Sequence, residues 1–280
     1  MKKSRENSYG KNLLTDIVTF PVPISLGDFN ETININSVDY PKEKLLKQEL
    51  LFKSNGLDRG AGLKKLNEAY TDLGFPKYSE KQIRNSEHLI IFASLAAKQF
   101  NPKKILEIGT YIGHSSCILA TLFPASEVVT IDLKDDDENF KEFYNRKDPA
   151  KMAKFLNTRN KFLNTRSNIK FLQENSLFLT RRTEFKDQFD LIWIDGAHGY
   201  PVVCADIINS VSLANPETII LCDDVYKNNI KNDVMYRSIA SWETIEELRK
   251  IGIISSDYFL KRLGIHTEDK FVAYITLNKE

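Results

Sequence analysis

Three carboxylates and an imidazole stand at the ends of two apolar runs. Asp195 and His198 lie in Trp193-Ile-Asp-Gly-Ala-His-Gly-Tyr200, and Asp223-Asp224 follow the run that ends at Cys222. Carboxylates brought together repel one another unless a cation lies among them. All-oxygen donors suit a hard ion such as Mg²⁺, with water or substrate completing its shell. Upstream, Glu107-Ile-Gly109-Thr-Tyr111-Ile-Gly113-His-Ser115 has the spacing E-x-G-x-x-x-G-x-S, and Asp132 closes the next apolar run. The glycines allow a tight turn and a close approach of backbone to a ligand, and a following helix offers free N–H groups. An acid at the end of the second strand can hold the two hydroxyls of a ribose. The glycine spacing is not the G-x-G-x-x-G of a pyrophosphate cradle, so a nucleoside cofactor without phosphates is expected.

These residues need a scaffold that brings strand ends together, and the rest of the chain provides the pattern for one. Short β runs are expected at Lys104–Gly109, Glu127–Asp132, Asn168–Gln173, Phe189–Asp195 and Thr218–Asp223, alternating with helical stretches such as Ser115–Phe123. Apolar strands alternating with helices predict a parallel sheet covered on both faces. Tyr258–Leu263 and Phe271–Leu277 follow without a helix between them, which predicts a closing antiparallel hairpin. The expected fold class is therefore α/β: a doubly wound, mostly parallel, seven-stranded sheet with a C-terminal antiparallel hairpin. In such a sheet the ends at Asp195 and Asp223-Asp224 face one crevice, beside the glycine turn. Ser79 is the expected N-cap of a buried helix running through Glu87–Ala96, which Asn101-Pro102 terminates. Residues 1–78 have weak periodicity and three prolines by Pro41, and are expected to form an N-terminal arm with short helices, one around Glu43–Phe52. The expected domains are thus that arm and residues 79–280. Lys154–Asn160 reads KFLNTRN and Lys161–Ser167 reads KFLNTRS, a single tandem heptad expected to lengthen one helix. The acidic run Asp135–Glu138 is expected to be a solvated loop.

At this point the sequence resembles the class I S-adenosylmethionine-dependent methyltransferases, with their Rossmann-like sheet, over roughly Ser79 to Leu277. The resemblance implies that Glu107, Gly109, Tyr111, Gly113 and Ser115 line the methionine and sugar. It implies further that Asp132 holds the ribose, that Asn175-Ser176 contact adenine, and that Asp195 lies beside the cofactor. The string I-D-G-A-H-x-Y followed by an acidic pair resembles the metal-dependent O-methyltransferases, among them the macrolide-sugar enzymes and, more loosely, the catechol-type ones. That likeness implies a metal on Asp195, Asp223 and Asp224, with His198 as general base. The catechol branch uses a lysine as base and has Asp-Asn where this chain has Asp-Asp, so the match leans toward sugars. Mg²⁺ coordination would lower the pKa of an acceptor hydroxyl and aim its oxygen at the sulfonium methyl. His88, His114 and His266 lie outside this constellation, with structural or solvated roles expected.

Composition narrows the partners. Lys+Arg total 39 against Asp+Glu 38, so no overall field favours nucleic acid or an anionic membrane. The three cysteines, Cys117, Cys204 and Cys222, form no CxxC pair, so neither a zinc site nor a disulfide framework is indicated. No apolar run has the length of a membrane span, and the basic start leads into no signal-peptide core, so a cytoplasmic protein is expected. The expected enzyme is an S-adenosylmethionine- and Mg²⁺-dependent O-methyltransferase acting on a small-molecule or glycan hydroxyl, with the arm as a candidate lid or homo-oligomer contact. Two rivals are a non-methylating, hydroxylase-like enzyme of the same fold and a non-catalytic cofactor-binding subunit.

Overall fold

The computed structural model describes residues 42–79, 86–142, 146–228, 238–261 and 270–278. Residues 1–41 of the expected arm, the tip of the C-terminal hairpin and His266 lie outside these. The sheet is built from β1 (Lys104–Ile108), β2 (Glu127–Asp132), β3 (Ile169–Gln173), β4 (Phe189–Ile194), β5 (Ala214–Tyr226), β6 (Ile254–Leu260) and β7 (Lys270–Leu277). Its seven strands run in the order β3-β2-β1-β4-β5-β7-β6. The first five are parallel, whereas β7 pairs antiparallel with both β5 and β6. The order reverses between β1 and β4, the switch point beyond whose carboxyl strand ends open α/β sheets bind their ligands.

The strands are apolar on both faces because helices cover both. Within β4, Leu191 and Trp193 point into one core and Ile192 and Ile194 into the other. The first core lies under α2 (Arg59–Asp72), α3 (Glu87–Ala97) and α4 (His114–Leu122), the second under α7 (Val202–Leu213) and α8 (Ala240–Lys250). Residues expected to form an arm contribute to the first core. Helix α1 (Lys42–Ser54) and α2 are 13 and 14 residues long, and Phe52, Leu57, Leu66, Tyr70 and Tyr78 are all buried with the sheet. Asp58 starts α2 by accepting the Ala61 N–H at 2.8 Å, and Asn55-Gly56 makes the turn between the two helices. The buried helix does not begin at Ser79. Ser86 precedes α3, and the hydroxyl that was expected to cap it lies seven residues further back in the sequence.

Between β2 and β3 come α5 (Glu138–Glu142) and α6 (Pro149–Leu163). Asp148 caps α6 by accepting the Lys151 N–H at 3.0 Å, and Pro149 sits in the first turn where its missing N–H costs nothing. Helix α6 contains the whole first heptad copy but only Lys161–Leu163 of the second, with Asn164 as its C-cap, and each copy has its own contacts. Phe155 packs on Tyr111 and Phe140, with ring centroids 5.6 Å away in both cases, and Phe162 packs on Phe75 and His114 at 6.0 and 5.7 Å. Arg159 grips Asp135 with two hydrogen bonds of 2.7 and 2.9 Å, and Arg166 pairs with Asp72. The acidic run is therefore tied down at its first residue by a buried arginine.

Candidate functional site

The glycine turn joins β1 to α4, and its parts are held from below. Gly109 has φ +101°, and a Cβ there would lie 2.2 Å from the Asp195 carbonyl oxygen, so the turn passes directly over the end of β4. Gly113, at φ +80°, is the residue before α4, and a Cβ on it would meet Leu163 and Phe162 at 3.1 and 3.2 Å. Both glycines are thus demanded by protein packing as well as by backbone conformation. Tyr111 between them also has positive φ, at +47°.

Glu107 is buried. Its side chain lies beneath the turn, accepting from the Thr130 hydroxyl at 2.6 Å and from the Ser116 hydroxyl, so it ties α4 to β2. Burial pushes its carboxyl up to about 7, against the pull of those two hydroxyls. Ser115 is half-buried in the first turn of α4.

Asp132, at the tip of β2, accepts the Tyr111 N–H at 2.9 Å through Oδ2 and the Leu133 N–H at 2.9 Å through Oδ1. Each oxygen keeps a further lone pair for a ligand hydroxyl. Lost hydration raises its pKa, opposed by the two N–H groups and by Arg146 and Arg159. Arg146 stacks at 4.0 Å from the rings of both Phe140 and Phe155, building an aromatic and cationic wall beside Asp132. Asn175 caps the 3-10 turn Ser176–Arg181, accepting the Leu177 N–H at 3.0 Å, while the Ser176 carbonyl accepts from Asn209 of α7 at 2.9 Å.

The ends of β4 and β5 bring Asp195, His198, Asp223 and Asp224 together. His198 Nε2 lies 3.5 Å from Asp195 and 3.7 Å from Asp224, contacts looser than hydrogen bonds. Donor atoms of Asp195, His198 and Asp223 all lie within 4.8 Å of one another. Asp223 Oδ1 and His198 Nδ1 are buried and, among the described residues, have no hydrogen-bond partner. Asp224 is placed differently from the other two acids. Its backbone has φ +55°, and both carboxylate oxygens are held by ammonium groups, Oδ1 by Lys261 and Oδ2 by Lys270. Lys261 also donates to Asp223 Oδ2.

The electrostatics follow from this arrangement. Lost hydration, then the Asp223 carboxylate, raises Asp195 well above the ordinary range. Burial lowers the His198 imidazole below its usual value, with Asp224 and Asp223 opposing, so the ring is held toward its neutral form. Burial would raise Asp224, but Lys261, His198 and Lys270 overcome this and hold it well below the usual carboxylate range.

Sequence reasoning missed Lys261 and Lys270. Neither lies near the acids in the chain, and only the antiparallel return of β6 and β7 brings these two in. It also missed Asp206 on α7, which is completely buried beneath Gly196, its Oδ2 3.5 Å from where a Gly196 Cβ would lie. The Ser176 hydroxyl lies close enough to restrain its pKa, yet neither carboxyl oxygen completes a hydrogen bond with a protein group, and burial pushes it to about 7. The available signal was an aspartate inside the apolar run Val202-Val-Cys-Ala-Asp-Ile-Ile.

The sheet order, the glycine turn and the acid after β2 together define a Rossmann-like methyltransferase fold. Residues 106–225, from β1 to β5, match the family model Methyltransf_24, a methyltransferase domain. A Klebsiella pneumoniae structure assigned as an O-methyltransferase is similar at 18% identity and TM-score 0.51, covering 84% of this chain and 97% of its own. The cofactor-bound Rv0187 from MTB is similar at 18% identity and TM-score 0.51, covering 88% of this chain and all of its own. The SAH-bound Podospora anserina methyltransferase PaMTH1 has 17% identity and TM-score 0.48, covering 88% and 100%. Among curated proteins, no sequence matches this one. No helix among the described residues is long and apolar enough to cross a membrane.

Proposed function

We propose that this protein is an S-adenosylmethionine-dependent O-methyltransferase that uses a divalent cation and acts on a hydroxyl of a sugar or glycan. One observation carries the reading: Asp195, His198 and Asp223 converge at the strand ends next to the glycine turn, with two of their buried donor atoms lacking a partner. The domain match supports methyl transfer. The histidine three residues after Asp195, together with the acidic pair, supports a hydroxyl acceptor of the sugar type.

The residues present suit both absent groups. Asp132 and the Tyr111 turn suit a ribose with no phosphate to accommodate, while Asn175-Ser176 lie at the β3 end of the crevice for the base. Asp195 and Asp223 offer two carboxylates, a set that accepts Mg²⁺ or Mn²⁺ with water or acceptor oxygens completing the shell. A bound divalent ion supplies Lewis acidity, which lowers the pKa of a coordinated hydroxyl. The buried, neutral His198 imidazole is ready to accept the acceptor's proton. Asp224, fixed by two lysines, holds a negative charge beside that imidazole and stabilises it once protonated. The wall formed by Arg146, Phe140 and Phe155 keeps water from the ribose side.

A second reading of His198 has support from geometry, because its donor atom lies within the three-residue cluster and could itself be a ligand. The experiment measures methyl transfer from labelled S-adenosylmethionine to a hydroxylated acceptor library, with and without chelator, alongside Mn²⁺ binding by His198→Ala. Loss of kcat by about 10²–10⁴ with unchanged Mn²⁺ affinity identifies the base, and loss of Mn²⁺ affinity identifies the ligand. Full turnover after exhaustive chelation removes the metal from the mechanism. No transfer to any hydroxyl acceptor by folded, cofactor-bound protein overturns the reading as a whole.

A further inference from the structure

Lys261 follows β6 directly, and Lys270 opens β7. The Lys261 N–H donates to the Lys270 carbonyl at 2.7 Å, and the Lys261 carbonyl accepts the Glu87 N–H at the start of α3 at 2.9 Å. The backbone of Lys261 is therefore pinned between the hairpin and α3, and its side chain is 8% exposed. From that anchor its ammonium bridges Asp223 Oδ2 and Asp224 Oδ1, while Lys270 takes Asp224 Oδ2. Two ammonium groups thus balance two carboxylates. Asp223 is the shared residue: one oxygen is bound by Lys261, the other is buried without a hydrogen-bond partner among the described residues, and the carboxylate belongs to the Asp195–His198–Asp223 cluster.

We propose that Lys261 and a divalent cation compete for the Asp223 carboxylate, so that Lys261 is a built-in counter-ion that sets how tightly this site takes metal. The inference rests on the metal reading above. A lysine ammonium is a compact point charge on a flexible four-carbon stem, able to leave one acid while its backbone stays fixed. An ion entering between Asp195 and Asp223 meets a like charge at close range in a dry crevice, where screening is weak. The Lys261 ammonium must then withdraw toward Asp224, or the ion binds against its repulsion. Either route lowers metal affinity relative to a site without that charge. Among the described residues Lys270 pairs with Asp224 alone of these acids, and its influence is correspondingly smaller.

The test titrates Mn²⁺ into the full-length protein, following the loss of the free-ion electron paramagnetic resonance signal, and records melting curves with and without Mn²⁺. Lys261→Met removes the charge and keeps the stem, Lys261→Gln keeps a donor for the acids without the charge, and Lys261→Arg keeps the charge. Lys261→Met or Lys261→Gln is expected to bind Mn²⁺ at least tenfold more tightly than wild type and to gain more melting temperature on adding it. Lys261→Arg is expected to stay within about threefold of wild type, as is Lys270→Met. Equal or weaker Mn²⁺ binding by the neutral variants, with wild type binding measurably, overturns the competition and leaves the metal reading intact. Absence of Mn²⁺ binding in wild type and every folded variant overturns both.

Discussion

Replacing Gly109 by alanine tests how the end of β4 and the cofactor turn are locked together. A Cβ there would lie 2.2 Å from the Asp195 carbonyl oxygen, 2.6 Å from its carbon and 2.7 Å from the Gly196 nitrogen, all backbone atoms. The obstruction cannot rotate away, because the Asp195 N–H is bonded to the Ile108 carbonyl at 2.8 Å. Two comparison sites separate the costs. Gly56→Ala has positive φ, at +64°, and open space around it, so it carries the dihedral cost alone, roughly 1–2 kcal/mol. Gly113→Ala, at φ +80°, adds contact with the Leu163 and Phe162 side chains at 3.1 and 3.2 Å, which can give slightly. Gly109→Ala adds a backbone collision at the upper end of the overpacking range, for a loss of about 3–5 kcal/mol. The gain from a stiffer unfolded chain is common to all three and cancels in the comparison. Urea unfolding at fixed pH, with the slope checked for constancy, gives the three differences. A Gly109→Ala protein within about 1 kcal/mol of Gly56→Ala would show that the turn and strand can separate cheaply, and would refute the claim that they form one unit.

Asp132→Ala is expected to weaken S-adenosylmethionine binding by about 1.5–3 kcal/mol, the range for hydrogen bonds to a charged group, read by calorimetry; unchanged affinity in folded protein refutes the ribose assignment. Glu107 titrates near 7 when folded and near 4.5 when unfolded, so the stability it contributes is complete below about 4.5 and is lost as pH rises through about 7. Glu107→Gln should therefore flatten the fall in urea midpoint between pH 5 and 7, and an unchanged slope counts against a buried, neutral Glu107. Arg59 holds Glu87 through contacts of 2.5 and 3.1 Å, with both side chains nearly buried. Arg59→Met should cost about 3–5 kcal/mol by stranding that carboxylate. Adding Glu87→Gln should restore much of the loss, and a double variant no more stable than Arg59→Met contradicts the stranded-charge account.

The parts of the site legible in the sequence are those written locally. Glycines placed between a strand and a helix, and an aspartate ending the next strand, leave a pattern within about thirty residues of chain. The sheet was legible because strands covered on both faces read as unbroken apolar runs. Lys261 and Lys270 were not, since their side chains meet Asp223 and Asp224 only through antiparallel pairing across some forty residues of sequence. The role of Glu107 was hidden for a related reason: its partners Ser116 and Thr130 lie on two other elements, and the motif alone suggests an acid facing ligand. Helices α1 and α2 are weakly patterned, with Leu46 and Leu50 exposed, so their membership in the main core follows only from Phe52, Leu66 and Tyr70.

The doubled heptad has a consequence for what residue identity can mean. Seven residues advance an α-helix by about 10.5 Å and return it almost to the same facing, about 20° away. Lys161–Leu163 thus repeat Lys154–Leu156 slid along the axis with hardly any rotation, whereas Asn164–Ser167 run on past the end of α6, and identical letters arrive at different neighbours. Phe155 and Phe162 stand on opposite flanks of the glycine turn, one beside Tyr111 and the other beneath Gly113. Arg159 reaches the loop after β2, and Arg166 reaches back to α2. Excising either copy would leave a helix in correct phase but too short to serve both flanks, so one side of the turn would lose its aromatic floor and one acid its arginine. A single-copy relative must fill the vacated place from another part of its chain, and its helix would align with either half equally well while matching the contacts of only one.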